Sequence, residues 1–153
     1  MRLIPGGEPT IRYGELSRLL KSGANLREVR EMVLRIRRGK SMVVDPEDPN
    51  SKSAGSFFMN PRVDSDTLEK VRKGLETLGM TEDELPCWTV PDGRTKLAAA
   101  WLIERSGMPR GFGAGPVGLS EKHTLAIVNR GGATAADVVS FARTVRNRVR
   151  ETF

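Results

Sequence analysis

Ser53-Ala54-Gly55-Ser56-Phe57-Phe58-Met59-Asn60-Pro61 sets out a short strand and its end. Small residues and a glycine lead into an aromatic pair, and Asn-Pro stops the run. Gly55 has no Cβ, so backbone or ligand approaches closely there. In an extended segment Phe57 and Phe58 point to opposite faces, so at least one anchors the strand in a core. Pro61 removes a donor and ends regular pairing. The stretch predicts a short anchored strand that presents one hydroxyl, Ser56, with little bulk around it. A buried edge strand with a satisfied serine has the same composition, and no G-x-S-x-G elbow activates this serine.

Working outward, the chain alternates short strands with helices irregularly, which predicts an α+β fold: a small mixed or antiparallel sheet packed with about four helices. Glu15 to Lys21 reads as a short helix. Asn25 with Glu28 forms a capping box for the next, whose stripe is Leu26, Val29, Met32, Val33 and Ile36 and whose terminator is Gly39. Asp45-Pro46 and Asp48-Pro49-Asn50 make the following segment a loop. Asp64 or Ser65 caps a helix through Leu78, ended by Gly79, and Thr81 to Leu85 adds a turn. Cys87 to Val90 reads as a strand, Pro91-Asp92-Gly93 as a turn, and Lys96 to Arg105 as a helix capped by Thr95 and burying Trp101. Thr124 to Val128 is a strand, and Thr134 opens the last helix with Val138, Phe141, Val145 and Val149 inward. Gly113-x-Gly115-x-x-Gly118 matches the dinucleotide fingerprint in letters only. Pro116 intrudes and a strand follows where a helix N-terminus is required, so the segment is a loop.

Hydrophobic residues make up 38% and charged residues 29% of the 153, the balance of a soluble globular domain with its own core. No apolar run reaches the length of a membrane span, and no signal peptide precedes the first turn, which fits a cytoplasmic protein. Cys87 stands alone, and one histidine offers no metal cluster. The net charge of +6 suits an anionic partner. Arg35, Arg37, Arg38 and Lys40 form one basic cluster, and Arg143, Arg146, Arg148 and Arg150 another. Aromatics are 5% and do not interleave with either, so no stacking platform for single-stranded nucleic acid is built and nucleic acid is not expected.

Four segments, in order, resemble one family. Ala54-Gly55-Ser56-Phe57-Phe58-Met59-Asn60-Pro61, Lys96-Leu97-Ala98-Ala99-Ala100-Trp101-Leu102-Ile103-Glu104, Val117-Gly118-Leu119-Ser120-Glu121-Lys122-His123 and Val128-Asn129-Arg130-Gly131-Gly132-Ala133-Thr134 onward to Asp137-Val138 are similar to motifs of UDP-N-acetylenolpyruvoylglucosamine reductase, also called UDP-N-acetylmuramate dehydrogenase. The resemblance implies reduction of the enolpyruvyl ether of a UDP-sugar with FAD and NADPH in peptidoglycan precursor synthesis. A reduced flavin gives hydride to the alkene, and the carbanion beside the carboxylate is then protonated. Ser56 matches the proton-donating serine. Lys40 matches a lysine at the substrate's diphosphate, Asn60 a substrate-binding asparagine, and His123 the place where relatives carry Gln or His near the substrate.

The resemblance also implies an organisation. Residues 1–23 resemble the exit from an FAD-binding domain, and residues 24–153 the substrate-binding domain. The expected partners are the UDP-N-acetylglucosamine enolpyruvyl ether and the FAD-binding domain, in cis or in trans. Met59 stands where the family commonly has lysine. The family's catalytic glutamate and its flavin-side arginine have no counterpart among these residues. The chain alone is therefore expected neither to hold FAD tightly nor to turn over. The competing readings are a non-catalytic UDP-sugar-binding remnant and an unrelated basic nucleic-acid-binding domain.

Overall fold

The computed structural model describes residues 6–153; the apolar start Met1 to Ile4 lies outside them. Two short helices come first, α1 (Gly14–Leu19) and α2 (Leu26–Gly39). The Asn25 cap accepts from the backbone N–H of Arg27 and Glu28 at 3.0 Å each, and Glu28 Oε2 accepts from the Asn25 N–H at 2.8 Å. Two of the helix's orphan donors and the cap's own N–H are thereby satisfied. The expected terminator is corrected: Gly39 is still helical, and the left-handed residue is Ser41, with φ 54°. The apolar stripe on α2 is shallowly packed. It leaves no residue of the helix fully buried, and Leu26 and Val33 are exposed; among the described residues α1 is the element most closely packed against it.

The strands divide into two antiparallel three-stranded sheets. β1 (Ser53–Ser56), β6 (Ala126–Asn129) and β5 (Val117–Leu119) form one in the order β1-β6-β5. β2 (Arg62–Val63), β4 (Thr95–Leu97) and β3 (Cys87–Thr89) form the other in the order β2-β4-β3. With α3 (Ser65–Thr77), α4 (Ala99–Arg105) and α5 (Ala135–Thr152) the fold is α+β, with five α-helices. The helix expected from Lys96 begins at Ala99 instead. Lys96 and Thr95 are strand residues, paired with Arg62 and Val63 on one side and with Trp88 and Thr89 on the other. The cap expected at Thr95 is accordingly absent, and Ala98 precedes the first helical turn. Pairing on both sides outweighs the helical preference of an alanine-rich run.

Two cores follow from the two sheets. Val71, Leu75, Leu85, Leu97 and Leu102 bury the second sheet under α3 and α4, with Trp101 half-buried and the Phe153 ring tilted beside it, centroids 6.2 Å apart. Ile103, Met108, Leu119 and Val145 bury the first sheet under α5, and Phe58 packs onto them. Val149 on α5 touches both, so this helix ties the sheets together. Its Thr134–Asp137 capping box fixes where it starts.

The glycine-rich loop leads into β5 rather than into a helix; that it opens no helix agrees with the sequence, whereas a strand as early as Val117 does not, the sequence placing the next strand at Thr124. Arg130 donates to the carbonyls of Gly113 at 2.6 Å and Gly111 at 2.8 Å. A Cβ on Gly118 would collide with that guanidinium, and one on Gly113 would lie 2.8 Å from the Phe141 ring. These glycines make room for an arginine and a phenylalanine, not for a pyrophosphate.

Candidate functional site

A bulge aims Ser56. β1 pairs Ser53 with Val128 and Ser56 with Ala126, three steps on one strand against two on the other. The extra residue falls where Gly55 takes φ +83°, a left-handed conformation that side chains rarely adopt. Immediately after Ser56 the strand breaks, and the N–H groups of Phe57 and Phe58 both donate to the Leu125 carbonyl, at 2.7 and 3.1 Å. Phe58 enters the core while Phe57 stays exposed, so the aromatic pair anchors on one side as expected. Ser56 is left exposed, on the wall of a cleft of about 420 Å³.

The opposite wall comes from α1 and α2. Leu16, Val33 and Ile36 give it an apolar floor, and Tyr13 and Lys40 its polar rim. His123, on the turn before β6, closes the third side. Three of the four expected residues, Lys40, Ser56 and His123, therefore line one cleft from three separate elements. Asn60 is not among its lining residues. Its Oδ1 accepts the Ala99 N–H at 3.0 Å and so holds the head of α4 to the strand end. Tyr13 and Arg37 line the cleft without having been expected. The sequence signal for Tyr13 was its place just before a helix, and for Arg37 only membership of a basic run. A larger hollow, about 690 Å³, lies on the other flank of α2 by Leu20, Ala24 and Glu28 and contains none of the expected residues.

Lys40 is already paired. Its Nζ donates to Glu15 Oε2 at 2.7 Å, and the Tyr13 hydroxyl donates to the same oxygen at 3.0 Å. The hydrogen bond to Glu15 raises the Lys40 pKa, and the same bond, with the one from Tyr13, lowers that of Glu15. The ammonium is thus charged and held at the rim by a carboxylate that an incoming anion would compete with.

His123 is half-buried, and burial, followed by the positive charges of Lys40 and Arg110, lowers its pKa against the opposing pull of Glu104. It is neutral near pH 7, with one ring nitrogen available as donor and one as acceptor. The unfolded chain then binds more protons than the folded one between the lowered value and the ordinary value of about 6.5, so stability falls as pH drops through that window. Thermal unfolding at pH 7.5 and pH 5 checks this: His123→Asn should lose less stability on acidification than the parent, and an equal loss contradicts it.

Among the described residues no three His, Cys, Asp or Glu side chains come together to hold a metal, and no helix is long and apolar enough to cross a membrane. Residues 46–153 match the family model of the UDP-N-acetylenolpyruvoylglucosamine reductase C-terminal domain. The chain belongs to that family. The Thermobifida fusca reductase is 50% identical over 148 residues, covering 94% of this chain and 41% of that protein. The reductase of Mycobacterium tuberculosis strain H37Rv is 45% identical over 155 residues, with 97% and 41% covered. That of Streptomyces coelicolor is 43% identical, with 94% and 38% covered. The chain thus spans about two fifths of the length of these relatives. Ser56, Asn60 and His123 fall inside the family-model match and Lys40 just before it, while the pairwise similarity covers nearly the whole chain.

Proposed function

We propose that this chain is the substrate-binding part of a UDP-N-acetylenolpyruvoylglucosamine reductase, cytoplasmic, with the UDP-sugar enolpyruvyl ether as its ligand. The observation that carries the reading is the convergence of Lys40, Ser56 and His123 on one cleft of about 420 Å³. In this reading the diphosphate meets Lys40, a compact mobile cation suited to phosphate oxygens. The apolar floor of Leu16, Val33 and Ile36 takes the uncharged part of the ligand. Half-buried His123 orients a polar group of the ligand as donor or acceptor. Asn60 lies outside the cleft lining and keeps its Oδ1 on the Ala99 N–H, so in this reading it reaches only a part of the ligand that extends beyond the cleft, through its Nδ2 amide.

Ser56 holds the proton. An enolate-like carbanion beside a carboxylate is a strong base, so an unactivated hydroxyl suffices as acid provided it is fixed at the right carbon. The Gly55 bulge provides that fixing. FAD and NADPH belong to the family's reaction, with hydride as the flavin's contribution when bound. The one segment of this chain with a nucleotide-like pattern does not fit a flavin pyrophosphate, since Arg130 and Phe141 fill the space beside Gly118 and Gly113. No role is therefore assigned to that loop in holding the cofactor, which falls to a flavin-binding partner domain.

Glu15 provides the test. It competes with phosphate for the Lys40 ammonium, and exposed ion pairs of this kind are weak, so Glu15→Gln should tighten UDP-sugar binding about twofold to fivefold in calorimetry. Weaker binding in that variant would mean that Glu15 positions Lys40 rather than masking it. A Lys40→Met variant that binds as well as the parent would remove the diphosphate assignment altogether.

A further inference from the structure

We propose that Asp48 is a positioning residue of the cleft, a carboxylate that sets Lys40 and His123 relative to each other by binding the residue next to each. The proposal rests on the reading of the cleft as a UDP-sugar site. Lys40 and His123 come from distant parts of the sequence. Their chain neighbours, Ser41 and Lys122, converge on a single oxygen: Asp48 Oδ2 accepts from Ser41 Oγ at 2.6 Å and from Lys122 Nζ at 2.9 Å. The other oxygen, Oδ1, accepts the Asn50 N–H at 3.0 Å and starts the turn Pro49–Ser51.

That turn makes a second link to the same place. Asn50, only 7% exposed, accepts the Glu121 N–H on its Oδ1 at 2.9 Å, and its Nδ2 donates to Glu121 Oε2 at 3.3 Å. Loop residues 48–50 are thereby joined to residues 121–122, directly before His123. On the other side the link passes through a strained residue. Ser41 is 3% exposed and has φ 54°, the one positive value outside glycine among the described residues. A serine stays in this conformation when its surroundings hold it there. Its N–H donates to the Arg38 carbonyl at 3.0 Å and its hydroxyl to Asp48, so the turn that places Lys40 is locked at both ends. Charge-assisted hydrogen bonds are the strong members of such a network.

The test uses the 153-residue chain, calorimetry with the UDP-N-acetylglucosamine enolpyruvyl ether, and the NMR titration of His123, the only histidine and so an unambiguous reporter. Asp48→Asn should weaken binding about tenfold, the effect of losing hydrogen bonds to a charged group. It should also raise the His123 titration midpoint toward its ordinary value, because the ring is no longer held buried beside Lys40 and Arg110 with Glu104 opposing. Plain removal of a nearby negative charge has the opposite sign and would lower the midpoint. Ser41→Ala alters no charge and should move both readouts part of the way; it carries the decision if Asp48→Asn fails to fold. Ser51→Ala is the control. Its hydroxyl bonds the Asp45 carbonyl at 2.7 Å in the same loop but touches neither Ser41 nor Lys122. It should change neither readout. Parent-like affinity and midpoint in Asp48→Asn, or equal losses in Ser51→Ala, would overturn the proposal. If the parent binds no ligand, the reading of the cleft fails, and the His123 midpoint alone decides whether Asp48 positions it: a rise in Asp48→Asn and Ser41→Ala upholds the role, and no rise rejects it.

Discussion

Ser56→Ala should lower turnover by about a thousandfold or more while ligand affinity stays within about twofold, the outcome expected if one hydroxyl supplies the proton and little binding. The setting is a chimera in which this chain replaces the matching part of the Thermobifida fusca reductase, to which it is 50% identical. The reason lies in the bulge. Gly55 in its left-handed conformation turns the strand so that Ser56 lies on the cleft wall, while Phe58 behind it is locked into the core around Met108 and Val145. The hydroxyl is therefore held by the backbone rather than by a hydrogen-bonded base. Removing Oγ changes one atom on a rigid support, leaving Lys40 and the apolar floor in place. A large loss of affinity would make Ser56 a binding group. Retained turnover would mean that the proton comes from elsewhere, with water or neutral His123 the nearest alternatives in the cleft.

Gly74→Ala should destabilise the fold by about 1–3 kcal/mol, the range for forcing extra atoms into a packed contact. In an exposed helix interior the same change would be favourable by about 1 kcal/mol, because alanine is the better helix former. Here the sign reverses. An added Cβ on Gly74 of α3 would lie 2.7 Å from the Thr152 carbonyl oxygen and 2.8 Å from the Phe153 Cα. Both are backbone atoms, so no side-chain rotation relieves the contact. The end of α5 must move, and with it Phe153, which packs on Trp101 and the core around Leu75 and Leu97. Denaturant unfolding of the two proteins measures the difference. Equal or greater stability in the variant would mean that the end of α5 is not seated against α3.

Most of the helices were legible because their ends are written in local chemistry. Asn25 with Glu28 satisfies the first-turn donors it was expected to satisfy, Asp64 is the cap of the two candidates Asp64 and Ser65, and Thr134, expected to open the last helix, does so with a capping box to Asp137. Gly79 ends α3 in a left-handed conformation, as its position implied. The Lys96 segment was misread because its alanines favour a helix while its strand character comes from partners at Arg62 and Trp88, which local pattern does not reveal. The stripe on α2 was legible as a stripe, but its exposure was not, since periodicity reports which face is apolar and says nothing of what covers it.

The site divides the same way. The anchored strand around Ser56 was legible from the glycine before it and the aromatics after it, but a role for Ser56, like those for Lys40 and His123, was suggested only by the family resemblance. Their meeting in one cleft depends on a left-handed serine and on a carboxylate joining positions 41 and 122. No spacing rule encodes either feature. Asn60 was expected at the ligand, and its carbonyl is engaged in holding α4.

The most direct test of the central claim, that this cleft takes the UDP-sugar, is amide chemical-shift mapping of the chain during titration with the UDP-N-acetylglucosamine enolpyruvyl ether. The largest shifts are expected at Lys40, Gly55, Ser56 and His123. Shifts confined to the hollow by Leu20, Ala24 and Glu28 on the other flank of α2, or none at saturating ligand, would contradict it.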